Sequence, residues 1–355
     1  MTLFHRLLYP SSSQLRKLTY LLVFLTFDLI LFGAFTRLTD SGLGCPDWPG
    51  CYANFSPIGA AHPIELAQSV MPTGPVTAAK AWVEMLHRYF ATSVGILIIL
   101  CLIWSVRLKK PVTLPILTLL WVCLQGAFGA FTVTMKLFPA IVTLHLLGGL
   151  VLLMLLQWQA VQQDVELDKV QSLATYKDAN HTQQLKLWLA IALVAVWLQI
   201  ALGGWVSTNY AVLACNQFPT CLNGEWLPVT MDDWHAGFMI WRDLGMTTAN
   251  ASAELISFSA MTAIHLTHRF FAAIALIAIA GLIWKLKPYP SARTLKRWLM
   301  SILTLQIITG ISNVVLGWPL LTAVMHTGGS AALVLVLTRL WVLTKNKSAS
   351  VKIAI

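Results

Sequence analysis

Eight long apolar segments limit the folds that this chain can adopt. Each can cross a hydrocarbon core of about 30 Å, where lipid offers no partner for unpaired backbone N–H and C=O groups. The mean hydropathy of +0.72 and the 11% of charged residues are typical of a polytopic membrane protein. The sequence therefore predicts eight transmembrane helices, at approximately 18–37, 81–105, 112–134, 139–161, 186–207, 260–284, 298–317 and 320–342.

Basic residues are distributed unevenly between the two ends of these segments. With the N-terminus inside, 17 of the 24 Lys and Arg residues fall in inner segments. Because cytoplasmic loops are enriched in Lys and Arg, we expect both termini in the cytoplasm and the long loops 38–80 and 208–259 outside. The net charge of +10 then reflects topology. A nucleic-acid surface is the weaker interpretation, since these charges lie on short loops between spans.

One residue pattern occurs twice along the chain. His87 and His145 are 58 positions apart (145 − 87), as are His268 and His326 (326 − 268). A shift of 181, or of 170 further upstream, also relates Gln125 to Gln306, Gly129 to Gly310, Gly148 to Gly329, Arg88 to Arg269, Gly33 to Gly203, Cys45 to Cys215 and Cys51 to Cys221. The repeat predicts two tandem, parallel four-helix bundles: an N-terminal half at 1–161, a cytoplasmic connector at 162–185 and a C-terminal half at 186–355.

The four histidines lie at similar depths in the outer half of the predicted spans, about 9–12 Å from the helix mouths at 1.5 Å per residue. A lone histidine in a helix is more often a satisfied polar residue, but ionisable side chains in lipid usually face a functional interior. Paired histidines on facing helices can hold a haem iron. His87 with His145, and His268 with His326, therefore predict two haem sites. Zinc is the alternative, although neither half offers a third ligand at a suitable spacing.

Several neighbours of these histidines are candidates for further roles. Glycine pairs follow two of the histidines by a few residues, Gly148 with Gly149 and Gly328 with Gly329, and are expected to let a flat macrocycle approach the backbone. Arg88 and Arg269 directly follow a histidine, and Arg37 lies at the outer mouth of the first span. These arginines are candidates to bind haem propionates by charge-assisted hydrogen bonds. Interfacial snorkelling is the alternative.

The two halves differ three residues before their first histidine. Glu84 precedes His87 on the same helical face, whereas His265 precedes His268. A carboxylate beside an iron site can accept protons or stabilise a developing cation, so Glu84 is a candidate catalytic residue. A merely solvated interfacial glutamate is the alternative. His265 is either a spare ligand or, as we expect, a polar residue at the helix mouth.

Each long outer loop begins with two cysteines separated by five residues, Cys45 with Cys51 and Cys215 with Cys221. Paired cysteines outside the cytoplasm are usually oxidised, so two loop-closing disulfides are predicted. A redox-active role is an alternative because short, exposed disulfides tend to be labile. Metal binding by the four thiolates lacks the usual spacing.

Two longer motifs resemble one known family. The segment 33–49, GAFTRLTDSGLGCPDWP, resembles the first-span signature of the haem A synthase family, and EMLHR at 84–88 resembles its second-helix motif. The eight spans, the cysteine-bearing loops and the four histidines extend this resemblance over nearly the whole chain. The second cysteine pair occurs in only part of that family, and His265 has no counterpart that can be carried over.

The resemblance implies an oxidoreductase that converts the C8 methyl of haem O to a formyl group, making haem A for cytochrome c oxidase. It implies substrate haem O between His87 and His145, a haem b cofactor between His268 and His326, and a catalytic role for Glu84. It also implies a cell inner membrane location with periplasmic outer loops, and a protohaem farnesyltransferase that supplies haem O. The electron-transfer partner, the oxygen source and the oligomeric state, a homo-oligomer included, stay open.

Other functions fit parts of the same pattern. A bis-histidine cytochrome b-type electron carrier usually places haems near both membrane faces, whereas these four ligands lie on one side. A thiol–disulfide oxidoreductase would use the loop cysteines but not the intramembrane histidines. A transporter built from repeats is disfavoured because these repeats are parallel and no broken midplane helix is evident.

Overall fold

The fold is all-helical over the residues that the computed structural model describes, which are 10–72, 74–167, 173, 179–241 and 256–345. Within these ranges it has ten α-helices, a 3-10 turn at Pro290–Ala292 and no β-strand. The helices are α1 (Ser12–Leu38), α2 (Ala61–Val70), α3 (Ala78–Arg107), α4 (Thr113–Thr134), α5 (Pro139–Glu166), α6 (Ala179–Thr208), α7 (Met231–Gly237), α8 (Phe258–Lys285), α9 (Arg293–Val315) and α10 (Leu320–Lys345).

All of these helices except α2 and α7 are long and apolar enough to cross a membrane. The prediction of an all-α membrane chain with eight candidate spans is therefore confirmed. Most helices extend beyond the predicted spans, and both α5 and α6 reach into the segment 162–185. Of the basic residues that orient the chain, several lie outside the described residues: Arg6, Lys169, Lys177, Arg242, Lys347 and Lys352.

Polar residues just outside the apolar segments explain where several helices begin. The Ser11 hydroxyl accepts the N–H of Gln14, whose side chain accepts the N–H of Ser11 in return, so α1 starts with a capping box. Thr77 and Ser257 accept backbone N–H groups at the starts of α3 and α8. These caps satisfy donors that the first helical turn leaves free.

The same kinds of helix pairs pack together on both sides of the connector. α1 packs on α3 and α5, and α4 packs on α3 and α5; likewise α6 packs on α8 and α10, and α9 packs on α8 and α10. α10 also contacts α1 and α5, and α5 contacts α6. The central helices are α1, α5, α6 and α10. Each contributes a fully buried leucine to one hydrophobic cluster: Leu22, Leu153, Leu189 and Leu337. The described helices thus share a single core.

A buried carboxylate joins three of the central helices at one end of the bundle. Asp164 of α5 is 1% exposed. It accepts hydrogen bonds from Arg16 Nε of α1 at 2.6 Å, from the Tyr20 hydroxyl and from Arg339 of α10 at 3.2 Å. Because the charge is paired and hydrogen-bonded, it can remain inside the protein. The network fixes α10 against α1 and α5.

The outer loops lie over the helix ends that carry the histidines. Both predicted disulfides are formed, with Cα–Cα distances of 4.8 Å for Cys45–Cys51 and 4.5 Å for Cys215–Cys221. The first bridge belongs to a small apolar cluster with residues of α2 and α3. In the second loop, Trp234 of α7 donates to the Thr267 hydroxyl of α8 at 2.9 Å.

Candidate functional site

Each histidine of the first pair lies against a glycine on a neighbouring helix. His87 is on α3, and a Cβ atom added to Gly33 of α1 would be 3.1 Å from its Nε2 atom. His145 is on α5, and a Cβ atom at Gly129 of α4 would be 3.5 Å from its Cε1 atom.

The second pair has the same arrangement. A Cβ atom at Gly203 of α6 would be 3.1 Å from Cε1 of His268 on α8, and one at Gly310 of α9 would be 3.3 Å from Cε1 of His326 on α10. The four glycines were part of the sequence repeat, but their contact with the histidine rings was not predicted.

The glycines that follow the histidines have a different role from the expected one. A Cβ atom at Gly148 would be 1.8 Å from Nε2 of Gln125, and one at Gly329 would be 2.3 Å from Nε2 of Gln306. The expectation that these glycines open the backbone to a macrocycle is therefore wrong, because glutamine amides occupy the space. Gln306 Nε2 donates to the His326 carbonyl at 2.8 Å, so the glutamine positions the helix turn that bears the histidine.

The histidines of the two halves differ in their polar partners. Nδ1 of His326 is 2.9 Å from the Thr309 hydroxyl, and the Gln199 amide nitrogen is 3.1 Å from Nδ1 of His268. In contrast, Nδ1 of His145 is buried without a hydrogen-bond partner, and the ring of His87 lies edge-on to Phe32 at 5.8 Å. Sequence analysis missed Thr309 and Gln199, although the repeat marks both positions as different in the two halves.

Glu84 is buried and both of its carboxylate oxygens have partners. Oε2 accepts the backbone N–H of Cys45 at 2.8 Å, and Oε1 pairs with Arg88 one turn further along α3. The carboxylate is 5% exposed as a residue, so it is not a solvated interfacial group. It therefore joins the histidine-bearing helix to the first disulfide loop.

Two of the three candidate propionate-binding arginines, Arg88 and Arg269, contact the backbone of a cysteine-bearing loop. Arg88 donates to the carbonyl oxygens of Asp47, Pro49 and Gly50. Arg269 donates to the carbonyl oxygens of Thr220 at 2.9 Å and Cys215 at 3.1 Å, and its buried Nε has no hydrogen-bond partner. Both arginines thus hold the disulfide loop of their own half.

Arg37 links the two halves near the outer ends of α1 and α6. It donates to the Ser207 carbonyl at 2.7 Å and to Asp40 at 3.1 Å, and its guanidinium lies 4.2 Å from the centre of the Tyr210 ring. Burial raises the pKa of Tyr210 above its ordinary value, so the phenol stays protonated and donates to Asp40.

His265 is buried on α8 and its Nδ1 atom is 3.0 Å from the Ala211 carbonyl. A carbonyl only accepts, so Nδ1 carries the proton and donates. The contact leaves the lone pair on Nε2, so it is compatible with both a polar residue at the helix mouth and a spare ligand. Over the described ranges, no group of three or more His, Cys, Asp or Glu side chains is arranged to hold a metal ion.

Comparison with known proteins assigns the chain to a family. Residues 16–338 match the family model described as cytochrome oxidase assembly protein. The chain belongs to the cytochrome oxidase assembly protein family. The match covers all eight candidate spans, at least in part, and both cysteine-bearing loops.

Relatives in this cytochrome oxidase assembly protein family carry one functional name. The chain is 38% identical to a haem A synthase of Shewanella oneidensis over 351 residues, which covers 94% of this chain and 98% of the relative. It is 27% identical to a haem A synthase of Halalkalibacterium halodurans, covering 84% of this chain and 86% of that protein. A haem A synthase of Rickettsia bellii is 24% identical, with 90% and 94% covered.

Proposed function

We propose that this chain is a haem A synthase, an oxidoreductase that converts the C8 methyl of haem O to a formyl group. The observation that carries the proposal is the pair of matched histidine sites, each ring lying against a glycine of a neighbouring helix. Membership of a family whose relatives are named haem A synthase gives those sites their substrate class. The product would be haem A for cytochrome c oxidase.

The proposed architecture is two tandem, parallel four-helix repeats at 1–161 and 186–355, joined by a cytoplasmic connector at 162–185. The equivalent helix contacts on the two sides of the connector support it. The protein would lie in the cell inner membrane with both termini in the cytoplasm. Its disulfide-bearing loops would face the periplasm, where cysteine pairs are kept oxidised.

The residues present fit two haems better than zinc. Among the described residues, each site supplies two imidazoles and no third ligand. Two imidazoles are what a bis-histidine haem requires, whereas a tetrahedral zinc site needs at least three protein ligands. The buried, unpartnered Nε of Arg269 marks a donor that the protein alone leaves unsatisfied and that a haem propionate could accept. We assign His87 and His145 to substrate haem O, and His268 and His326 to a haem b cofactor. When bound, that cofactor supplies a one-electron redox centre.

Glu84 is proposed as the catalytic carboxylate of the substrate half. It lies one turn before His87, is buried, and is held by Arg88 and the Cys45 backbone N–H. Each carboxylate oxygen has a second lone pair, so these contacts orient the group without exhausting its capacity to accept a proton. A buried and oriented carboxylate is suited to take a proton from the methyl group or to stabilise a developing positive charge.

Arg37, Arg88 and Arg269 are proposed to face the haem propionates. Arg269 supports this best, because its buried Nε is a donor without an acceptor inside the protein. Arg88 and Arg37 already have several acceptors, so any propionate would share Arg88 with loop backbone and Arg37 with the Ser207 carbonyl of α6. For Arg88 and Arg269, the loop contact and the propionate contact would reinforce each other by closing the loop over the site.

The alternative functions have less support. All four disulfide cysteines are fully buried, whereas redox-active cysteines need access to their substrate. A thiol–disulfide oxidoreductase is therefore disfavoured, and the bridges are better explained as braces for the loops. An electron carrier would need the same histidines. It would have no need for a buried carboxylate such as Glu84 beside only one of its two haem sites.

Co-production with a protohaem farnesyltransferase, the proposed source of haem O, tests this function. Membranes that contain the chain and the transferase should yield an aldehyde-bearing haem on extraction, identified by its mass and its pyridine haemochrome band. Membranes with the transferase alone should yield only haem O and haem b. If adding the chain produces no aldehyde under aerobic growth, the protein is not a haem A synthase, and a bound b-type spectrum would then favour the electron carrier.

A further inference from the structure

Thr309 determines which nitrogen of His326 carries the proton. The Thr309 hydroxyl donates to the Leu305 carbonyl at 2.7 Å, one turn back along α9. Its single proton is then used, so it can only accept from His326, whose Nδ1 lies 2.9 Å away. Nδ1 therefore carries the proton, and the lone pair of His326 is on Nε2.

The N-terminal half has no such hydroxyl. The repeat shift of 181 places Phe128 at the position of Thr309, and a phenyl ring cannot accept a conventional hydrogen bond. Nδ1 of His145, the counterpart of His326, is accordingly buried with no hydrogen-bond partner. The other two histidines do not share this difference, because His87 has a hydrogen bond with the backbone of Leu29, which takes the position of Gln199 after the shift of 170.

We propose that Thr309 is a positioning residue that makes the C-terminal pocket retain its haem, while Phe128 leaves the N-terminal pocket free to exchange. This inference rests on the proposed function, in which one pocket keeps a cofactor and the other must bind a substrate and release a product. A hydrogen-bonded Nδ1 fixes the tautomer and ring orientation and increases ligand basicity. An unheld histidine must be ordered each time a haem binds, which favours release.

Conservative replacements of Thr309 separate the hydroxyl from side-chain size. Thr309→Val keeps the shape and removes the acceptor, whereas Thr309→Ser keeps the hydroxyl. Thr304→Val is the matched control, because Thr304 is on the same helix, donates to the Met300 carbonyl at 3.0 Å and is exposed on the bundle surface. Phe128→Thr supplies the missing acceptor to His145 in the other half.

The readouts are the rate of haem transfer from the full-length protein to excess apomyoglobin and the midpoint potential of the b-type band. Thr309→Val should lose its C-terminal haem about 10–100-fold faster than wild type, with a raised potential, because a less basic imidazole stabilises ferric iron less. In Thr309→Ser and Thr304→Val, the rate of haem loss should stay within about twofold of the wild-type rate. Phe128→Thr should slow loss from the N-terminal pocket by about 10-fold.

Unchanged transfer rate and potential in Thr309→Val would overturn the inference. Should that variant fail to accumulate, Phe128→Thr decides instead, and a transfer rate equal to that of wild type would be the contrary result. Failure of the proposed function looks different: membranes that contain the chain and the farnesyltransferase would then yield no aldehyde-bearing haem, whatever the Thr309 variants do. His326→Ala checks the ligand assignment separately and should lose the b-type spectrum. Loss of that spectrum in His326→Ala, with no effect of Thr309→Val, would reject the role of Thr309 alone.

Discussion

The Glu84 carboxylate accepts the backbone N–H of Cys45 at 2.8 Å, so one side chain connects the helix of His87 to the first disulfide loop. The contact has two interpretations, a brace for the loop and an orienting contact for a catalytic group. Both can hold together, since a residue that takes part in chemistry needs a fixed position.

Glu84→Ala and Glu84→Gln distinguish these roles. Glutamine keeps an acceptor for the Cys45 N–H but cannot take up a proton as a carboxylate does. Because haem b is assigned to the other histidine pair, both variants should retain it. Both should lower aldehyde formation by about 100-fold or more, as expected when a proton-transfer group is lost. Haem extraction after co-production with the farnesyltransferase gives the measurement. Normal haem A from Glu84→Gln, with reduced haem A from Glu84→Ala, would leave only the bracing role.

Gly203→Ala should displace the His268 ring. The added methyl would be 3.1 Å from Cε1 of that ring, closer than ordinary contact, so the imidazole must shift by a few tenths of an ångström. We expect haem b retention to weaken by about 10-fold, as for other changes that misorient a metal ligand. Gly95→Ala is the control, because nothing lies within 4 Å of a Cβ atom there. Equal haem content in the two variants would contradict the placement of His268 at the cofactor.

Arg269→Gln should lower haem content in the purified protein. The substitution removes the unpartnered buried donor, and a propionate would lose a charge-assisted hydrogen bond. Limited proteolysis of the 208–241 segment separates this effect from loop release, since Arg269 also holds the Thr220 and Cys215 carbonyls. Unchanged haem content would rule out propionate pairing, even if the loop becomes easier to cleave.

Asp164→Asn should destabilise the protein without changing its chemistry. Removing the charge leaves Arg16 and Arg339 without their buried counter-ion, at a cost of about 3 kcal/mol; the arginines are partly exposed, so the low end of the usual range applies. Glu166→Gln is the control, because Glu166 pairs with Lys110 at the exposed surface and should cost about 1 kcal/mol or less. The melting temperature in detergent tests this. A drop no larger than that of the control would show that the network adds little.

Much of the architecture follows from local pattern. The spans depend on runs of apolar residues and the disulfides on cysteines six positions apart, and both were predicted from nearby sequence. The Asp164 network could not be predicted in this way, because Arg16 and Arg339 lie 148 and 175 positions from it. Such contacts depend on how helices are rotated against each other, which hydropathy does not specify.

The four histidines of the candidate site were identified from the sequence, whereas their surroundings were not. The repeat identified the four histidines, yet the glycines expected to face a macrocycle, Gly148 and Gly329, pack on glutamines instead. Thr309 was missed because a threonine in a helix usually bonds its own backbone, as this one also does. Comparing the two halves position by position would have exposed Thr309 against Phe128.

The most direct test of the central claim is the absorption and low-temperature EPR spectrum of the purified protein and of its histidine variants. The account predicts a low-spin bis-histidine b-type signal in wild type that is lost in both His268→Ala and His326→Ala. It also predicts that His87→Ala and His145→Ala keep this signal but form no haem A. A full b-type signal in His268→Ala or His326→Ala would contradict the assignment of iron to the paired histidines.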